Sequence, residues 1–203
     1  MSILEKVVAA VTPEESGTAR LEARAKARAC AKPGDWLSLV LDHHTRIEDA
    51  FAAVRGAPAA AARLTALKSL ALILTGHSNA EESVIYPALA RAGHKSHATA
   101  GYEEQAQAKV SMGELENLDP VHQEFLDKLE HIRSAVVHHM YEEEHDRFLD
   151  LESLPDRDQE QLTRRYKEEF ERYVGDEAAA AGRFGGVPEA VSARTGGFVR
   201  TPE

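Results

Sequence analysis

The chain has 203 residues, 43% of them hydrophobic, enough for one domain with a sizeable core and some appendages. Its formal charge of −10 repels phosphate backbones and anionic bilayers, which weighs against nucleic-acid and membrane partners. A single cysteine, Cys30, rules out an intrachain disulfide, and no window approaches the ~20 apolar residues of a spanning helix. The first stretch, "MSILEKVVAAVTPEES", has too short an apolar run for a secretory signal, so a cytoplasmic location is expected.

Alanine, leucine, glutamate and arginine dominate and alternating β-branched runs are missing, so the fold class is all-α. "EESGTARLEARAKARAC" reads as a charged leading helix, broken by Pro33 and Gly34, with Asp35 placed to cap the next helix. A first long helix then spans about Asp35 to Arg55, with Leu37, Val40, Leu41, His44, Ile47 and Phe51 on one face. A second runs from Ala59 to about Arg91, its stripe passing through Leu70, Ile73, Leu74, His77, Glu81, Val84 and Ile85. A third covers roughly His97 to Asn117, with a thinner stripe of Ala98, Tyr102, Gln105, Ala108 and Met112. In "LDPVHQEF" Asp119 is expected as cap and Pro120 at the first helical position of a fourth helix, whose stripe is Phe125, Leu129, Ile132, Val136, His139 and Glu143. Pro155 opens a fifth, charged helix.

These elements predict an antiparallel up-down-up-down four-helix bundle over 35–152. A helical extension precedes it over 1–34, and an extra helix over 153–175 and a flexible or docked tail over 176–203 come after it.

The inward polar residues carry the chemistry. A histidine and a glutamate four apart share a helical face and can hold one ion or bridge two. Four such pairs occur, His44/Glu48, His77/Glu81, His138/Glu142 and His139/Glu143, but at 100° per residue His77 with Glu81 and His139 with Glu143 fall inside apolar stripes. Burying carboxylates beside imidazoles without a cation costs several kcal/mol, on the order of 3–5 for a broken pair. His44 completes a nest with these four. Its three imidazoles and two carboxylates suit iron, manganese or zinc over calcium or magnesium.

"HSNAEESVIY" and "HMYEEEHDRF" repeat one pattern, and His77 lies 33 residues after His44; about the same interval back from His139 lands on Gln105. His43 sits at the stripe's edge, in a supporting or surface role. Glu48 and Glu142 lie at its margins, whereas Glu144 and Asp146 fall on the solvated face. Tyr86 points away from the nest and packs against the leading or fifth helix. The remaining histidines, His94, His97, His122, His131 and His145, read as surface or hydrogen-bonded residues.

Across about Trp36 to Leu151 these residues resemble the hemerythrin-like family of HHE cation-binding domains. The resemblance is carried by "DHHTRIEDAF", "HSNAEESVIYP", "YEEQAQAK" and "HHMYEEEHDRF". It implies a non-haem di-iron centre in the bundle core, with His44, His77 and His139 as terminal ligands and Glu81 and Glu143 as bridges. The family's third-helix histidine falls on Gln105, a weaker, neutral donor. That departure leaves three arrangements open: an asymmetric di-iron site with an exchangeable position, a substitute ligand such as Tyr102 one turn away, or a single-metal site. The resemblance further implies small ligands such as O2, NO or peroxide, with peroxide decomposition as a possible activity. The alternatives are an iron-responsive or iron-holding regulatory module without turnover, and a bundle whose polar cluster is purely structural. The sequence carries no signal for oligomeric state.

Overall fold

The computed structural model describes residues 15–181, and side chains from 15 to 175; the start of the chain and residues 182–203, most of the expected tail, lie outside the described residues. Among the described residues the chain is helical without strands. No helix there is long and apolar enough to cross a membrane. Helix α1 spans Gly17–Cys30, α2 Trp36–Gly56 and α3 Ala60–Ala80. A single π-helical turn, Glu81–Ile85, joins α3 to α4, Tyr86–Arg91. Then come α5, Lys95–Glu116; α6, Gln123–His145; a short 3-10 turn, Arg147–Leu151; and α7, Asp156–Ala181.

The boundaries reflect local chemistry. Ser16 caps α1 by accepting from the amide of Ala19, and Asp35 caps α2 by accepting from Ser38, as its place after Pro33-Gly34 suggests. The start of α6 differs from expectation. Asp119 accepts from the amide of Val121 at 3.0 Å, closing a turn, so the helix begins at Gln123 with His122 as its cap. Arg63 holds this end of the bundle together, donating to the carbonyls of Val54, Ala57 and Pro120.

The apolar stripes of α2, α3 and α6 meet in one core with Leu41, Phe51, Leu70, Ile85, Phe125 and Ile132. α2 packs along α3, α5 along α4 and α6, and α1 against α6. α7 lies on α3 and α2, where the Trp36 indole donates to Gln159 at 2.6 Å and the Trp36 amide to the Thr163 hydroxyl at 3.0 Å. On α5 the inward face carries Ala98, Gly101, Gln105 and Met112, whereas Tyr102, expected there, is 39% exposed.

The π turn sets the register of the second long helix. Pro87 has no N–H, and in a regular helix its ring would clash with the carbonyl four residues earlier. Instead the Tyr86 amide reaches back five residues to the Glu81 carbonyl, widening one turn and rotating the residues beyond it. The carbonyls this frees find other donors: Glu82 accepts from the Tyr102 hydroxyl at 2.7 Å, and Ser83 from the Arg165 guanidinium at 3.4 Å. The rotation turns Tyr86 inward, where its ring lies over Gly101 so closely that a Cβ there would come within 2.6 Å of Tyr86 Cζ. Gly101→Ala is therefore expected to displace Tyr86 and to cost about 1–3 kcal/mol in chemical denaturation; an unchanged midpoint would show that the ring is not held there.

Candidate metal centre

His44 on α2, His77 at the end of α3, Glu81 in the π turn, and His139 and Glu143 on α6 come together in the core. Exposure of His44, Glu81 and Glu143 is 0%, of His77 2% and of His139 7%. One donor atom from each of His44, His77, Glu81 and Glu143 fits within 4.8 Å of the others.

The three imidazoles share one arrangement. Each Nδ1 is tied to an oxygen: His44 to Glu144 at 2.7 Å, His77 to the Tyr166 hydroxyl at 3.1 Å, and His139 to Glu104 at 2.6 Å. Each Nε2 then faces an inward carboxylate: His44 lies 3.4 Å from Glu143, His77 3.2 Å from Glu81, and His139 3.3 Å from Glu143. Holding one ring nitrogen fixes the tautomer and presents the other as a lone pair, as metal-ligating histidines require.

These oxygens are themselves anchored. Arg24 of α1 binds Glu144 at 2.9 Å and Glu48 at 2.8 Å, and Arg147 binds Glu104 at 2.6 Å. Tyr166 of α7 also lies 2.9 Å from His43 Nδ1, and His43 stacks on Phe170 with ring centroids 3.8 Å apart. The consistent assignment has His77 donating to the Tyr166 oxygen, whose own proton goes to His43.

The electrostatics show a site short of positive charge. Burial, then the neighbouring Glu143, push the Glu81 carboxyl well above the usual carboxylate range. Burial opposes ionisation of Glu143 too, yet His139 and His44 hold it below that range. Burial and three neighbouring imidazoles drive His77 far toward the neutral form, and burial above all lowers His43 to about 3. His44 moves the other way: burial lowers it, but bonds to Glu143 and Glu144 win and raise it. Among the described residues five buried polar atoms lack a hydrogen-bond partner: His44 Nε2, His77 Nε2, Glu81 Oε1, Gln105 Oε1 and Glu143 Oε2. Native interiors rarely tolerate such a concentration, and a cation with nitrogen and oxygen ligands would satisfy the imidazole and carboxylate members.

Beside the four-donor nest lies a second lobe, closed by protein groups. The Tyr86 hydroxyl donates to Glu143 at 2.8 Å and lies 3.3 Å from His139 Nε2. The Gln105 amide donates to Glu81 at 2.6 Å and to the Tyr86 hydroxyl at 2.7 Å. His139 belongs to this lobe, outside the group of four.

Residues 37–151 match the family model described as the Hemerythrin HHE cation binding domain, more than half of the chain. The chain belongs to this family. No curated protein and no solved structure matches it. The hemerythrin match ends before Tyr166 and begins after Arg24, so two anchors of the imidazoles come from helices outside it.

Within this hemerythrin domain three sequence-based placements change. Tyr86 faces the nest instead of the flanking helices, because the π turn breaks the 100° count used to place it. Glu144, assigned to solvent, is 1% exposed and holds His44. Asp146, by contrast, is exposed. Tyr102 does not enter the nest: its hydroxyl is used by the Glu82 carbonyl and its ring packs edge-on against Tyr86. Gln105 is 3% exposed and touches Glu81, as the repeat spacing suggested. Sequence reasoning missed Tyr166, Arg24, Glu104 and Arg147. Tyr166 carried the weak signal of an aromatic in an otherwise charged helix.

A cavity of about 260 Å³ reaches this site between α3, α5 and α6. His77, Gln105 and His139 are at its inner end, Leu74, Ile132 and Val136 among its apolar walls. A larger cleft of about 800 Å³, along Lys32–Asp35 and Asp156–Lys167, does not touch these residues.

Tyr102→Phe separates its two readings. Losing one hydrogen bond to the freed carbonyl should cost about 1 kcal/mol while metal content stays at the wild-type level; loss of metal would restore Tyr102 to the ligand set.

Proposed function

We propose that this chain is a non-haem iron protein of the hemerythrin-like family that binds, senses or detoxifies O2, NO or peroxide at the buried His/Glu site. The carrying observation is that three imidazoles, each held at Nδ1, aim Nε2 at two carboxylates of which neither is exposed. Domains of this family bind metal ions, typically iron. The reading includes an up-down-up-down bundle of α2, α3 with α4, α5 and α6, with α1 and α7 as additions, in a reducing cytoplasm that suits the single Cys30.

His44, His77, Glu81 and Glu143 would hold the first ion, and manganese or zinc would also suit these donors. Bound there, iron would supply an exchangeable coordination position and a change of oxidation state. The protein supplies the rest. Glu144, Tyr166 and Glu104 keep the imidazoles in one tautomer, and the apolar cavity admits small molecules while limiting water. The Tyr86 hydroxyl, bonded to Glu143 and 3.3 Å from His139 Nε2, offers a protein proton to a ligand arriving beside His139. The lobe it closes with Gln105 supports one tightly held ion. A second ion, as in the di-iron reading, would have to displace both groups.

A second reading is an iron-responsive or iron-holding module without turnover. It is favoured by the direct bonds from α1 to Glu144, the partner of His44, and from α7 to His77 itself, through which loading would reach helices outside the matched domain. Steady peroxide consumption by the loaded protein supports the first reading; iron-dependent protease protection of α1 or α7 without consumption supports the second.

Elemental analysis after anaerobic iron loading should give at least one iron per chain, reduced to the blank level in His77→Ala; equal iron in both proteins would sink the assignment. Tyr166→Phe keeps every ligand but frees the His77 ring, so metal affinity should fall about 10–100-fold. Undiminished affinity would reduce Tyr166 to packing.

A further inference from the structure

A second cluster of ligand-type side chains lies outside the core, on residues given no role above. His94 caps the start of α5, His97 sits in its first turn, and Asp150 belongs to the 3-10 turn after α6. Both imidazoles turn Nδ1 to the same oxygen, Asp150 Oδ2, at 2.8 Å each. The two rings lie nearly parallel, at 27° with centroids 5.9 Å apart. On the far side of His97, Asp146 Oδ2 lies 3.9 Å from Nε2.

We propose that His94, His97 and Asp150 form an outer site for a divalent transition-metal ion, zinc above all, independent of the buried centre. The three donor atoms fall within 4.8 Å of one another and all three residues are half-buried, open enough for a hydrated ion to enter. Two imidazoles and one carboxylate, with the fourth position left to water, are a set that tetrahedral zinc accepts. Calcium and magnesium would require an all-oxygen shell, which this cluster does not offer. The chain's net charge of −10 adds a general attraction for dications.

The backbone is arranged for this convergence. Gly93 has φ 102°, a left-handed conformation that side chains rarely adopt, and it brings His94 round beside His97 at the helix start. α6 ends at Asp146 with φ −141°, and the tighter turn after it returns Asp150 to the two rings. Without metal, Asp150 Oδ2 hydrogen-bonds His97 Nδ1 and stands 2.8 Å from His94 Nδ1. With it, both Nδ1 atoms and the same oxygen become ligands, and any proton they carry is released. Such an ion would clamp the start of α5 to the turn carrying Arg147, which holds Glu104 and through it His139.

The test is zinc uptake by the full chain without a histidine tag, by equilibrium dialysis with elemental analysis. Wild type should bind one equivalent more than His97→Ala, and Asp150→Asn, which preserves side-chain shape, should lose the same equivalent. His77→Ala should keep the equivalent that these two lose, so failure of the outer site is distinguishable from failure of the buried one. Cobalt in place of zinc should give tetrahedral visible bands in His77→Ala that vanish on adding Asp150→Asn. Equal zinc uptake by wild type and Asp150→Asn would overturn the proposal and leave the cluster as a hydrogen-bonded triad.

Discussion

Two carboxylates with no exposure, set against three imidazoles, are the constraint around which this fold is arranged. Left alone, they destabilise the protein: charge has been removed from water, and four of their ring nitrogens and carboxylate oxygens find no partner. Apolar side chains would pack the same volume at lower cost, so the cluster itself suggests an occupant that compensates. The structure holds each group where a cation would find it, as the three Nδ1 bonds show most directly. A core selected for stability alone would need only to satisfy these groups, and would not turn three lone pairs toward two acids.

Maintaining that geometry draws in residues from the whole chain. Arg24 on α1 neutralises Glu144 and Glu48, so Glu144 can serve as acceptor for His44 at almost no exposure. Tyr166 on α7 takes His77, and its own proton is accepted by His43, which remains neutral because burial disfavours its charge. Burial raises the Glu104 carboxyl, yet the bonds to His139 and then to Arg147 win and hold it down at about 2. Each imidazole is thus backed by a second group and, for His44 and His139, by an arginine behind it. The helices flanking the matched domain contribute directly to site orientation, and their Trp36–Gln159 and Arg24–Glu144 bonds place them at fixed registers.

How much of this could be read beforehand divides along physical lines. The core stripes of α2, α3 and α6 were legible because a 3.6-residue period survives wherever the helix is regular; His44, His77, Glu81, His139 and Glu143 are buried for that reason. Gln105 was legible through the internal repeat. Tyr86 was not, because one π turn shifts the phase by about a residue, and the only sequence trace of that turn was Pro87. Glu144 looked solvent-facing because its place depends on Arg24, some 120 residues away, and no local pattern records such a pairing. Tyr102, expected on the inward stripe, lies outside it for the reverse reason: it serves a carbonyl that exists as a free acceptor only because the same π turn released it.

The π turn therefore does more than accommodate a proline. Glu81, its first residue, lends its carbonyl to the amide of Tyr86 and its carboxylate to the nest, so ligand and hydroxyl are fixed by one widened turn. Had the helix stayed regular, Tyr86 would lie about 100° away and the lobe beside His139 would lack its proton donor. Gly101 has no Cβ where the Tyr86 ring must pass, and Gln105, one turn further along α5, bonds its hydroxyl. The features are mutually dependent: a proline forces the bulge, the bulge delivers the phenol, and a glycine on the facing helix admits it. Such local irregularity persists only where the surroundings support it, and here they do so around the lobe beside His139.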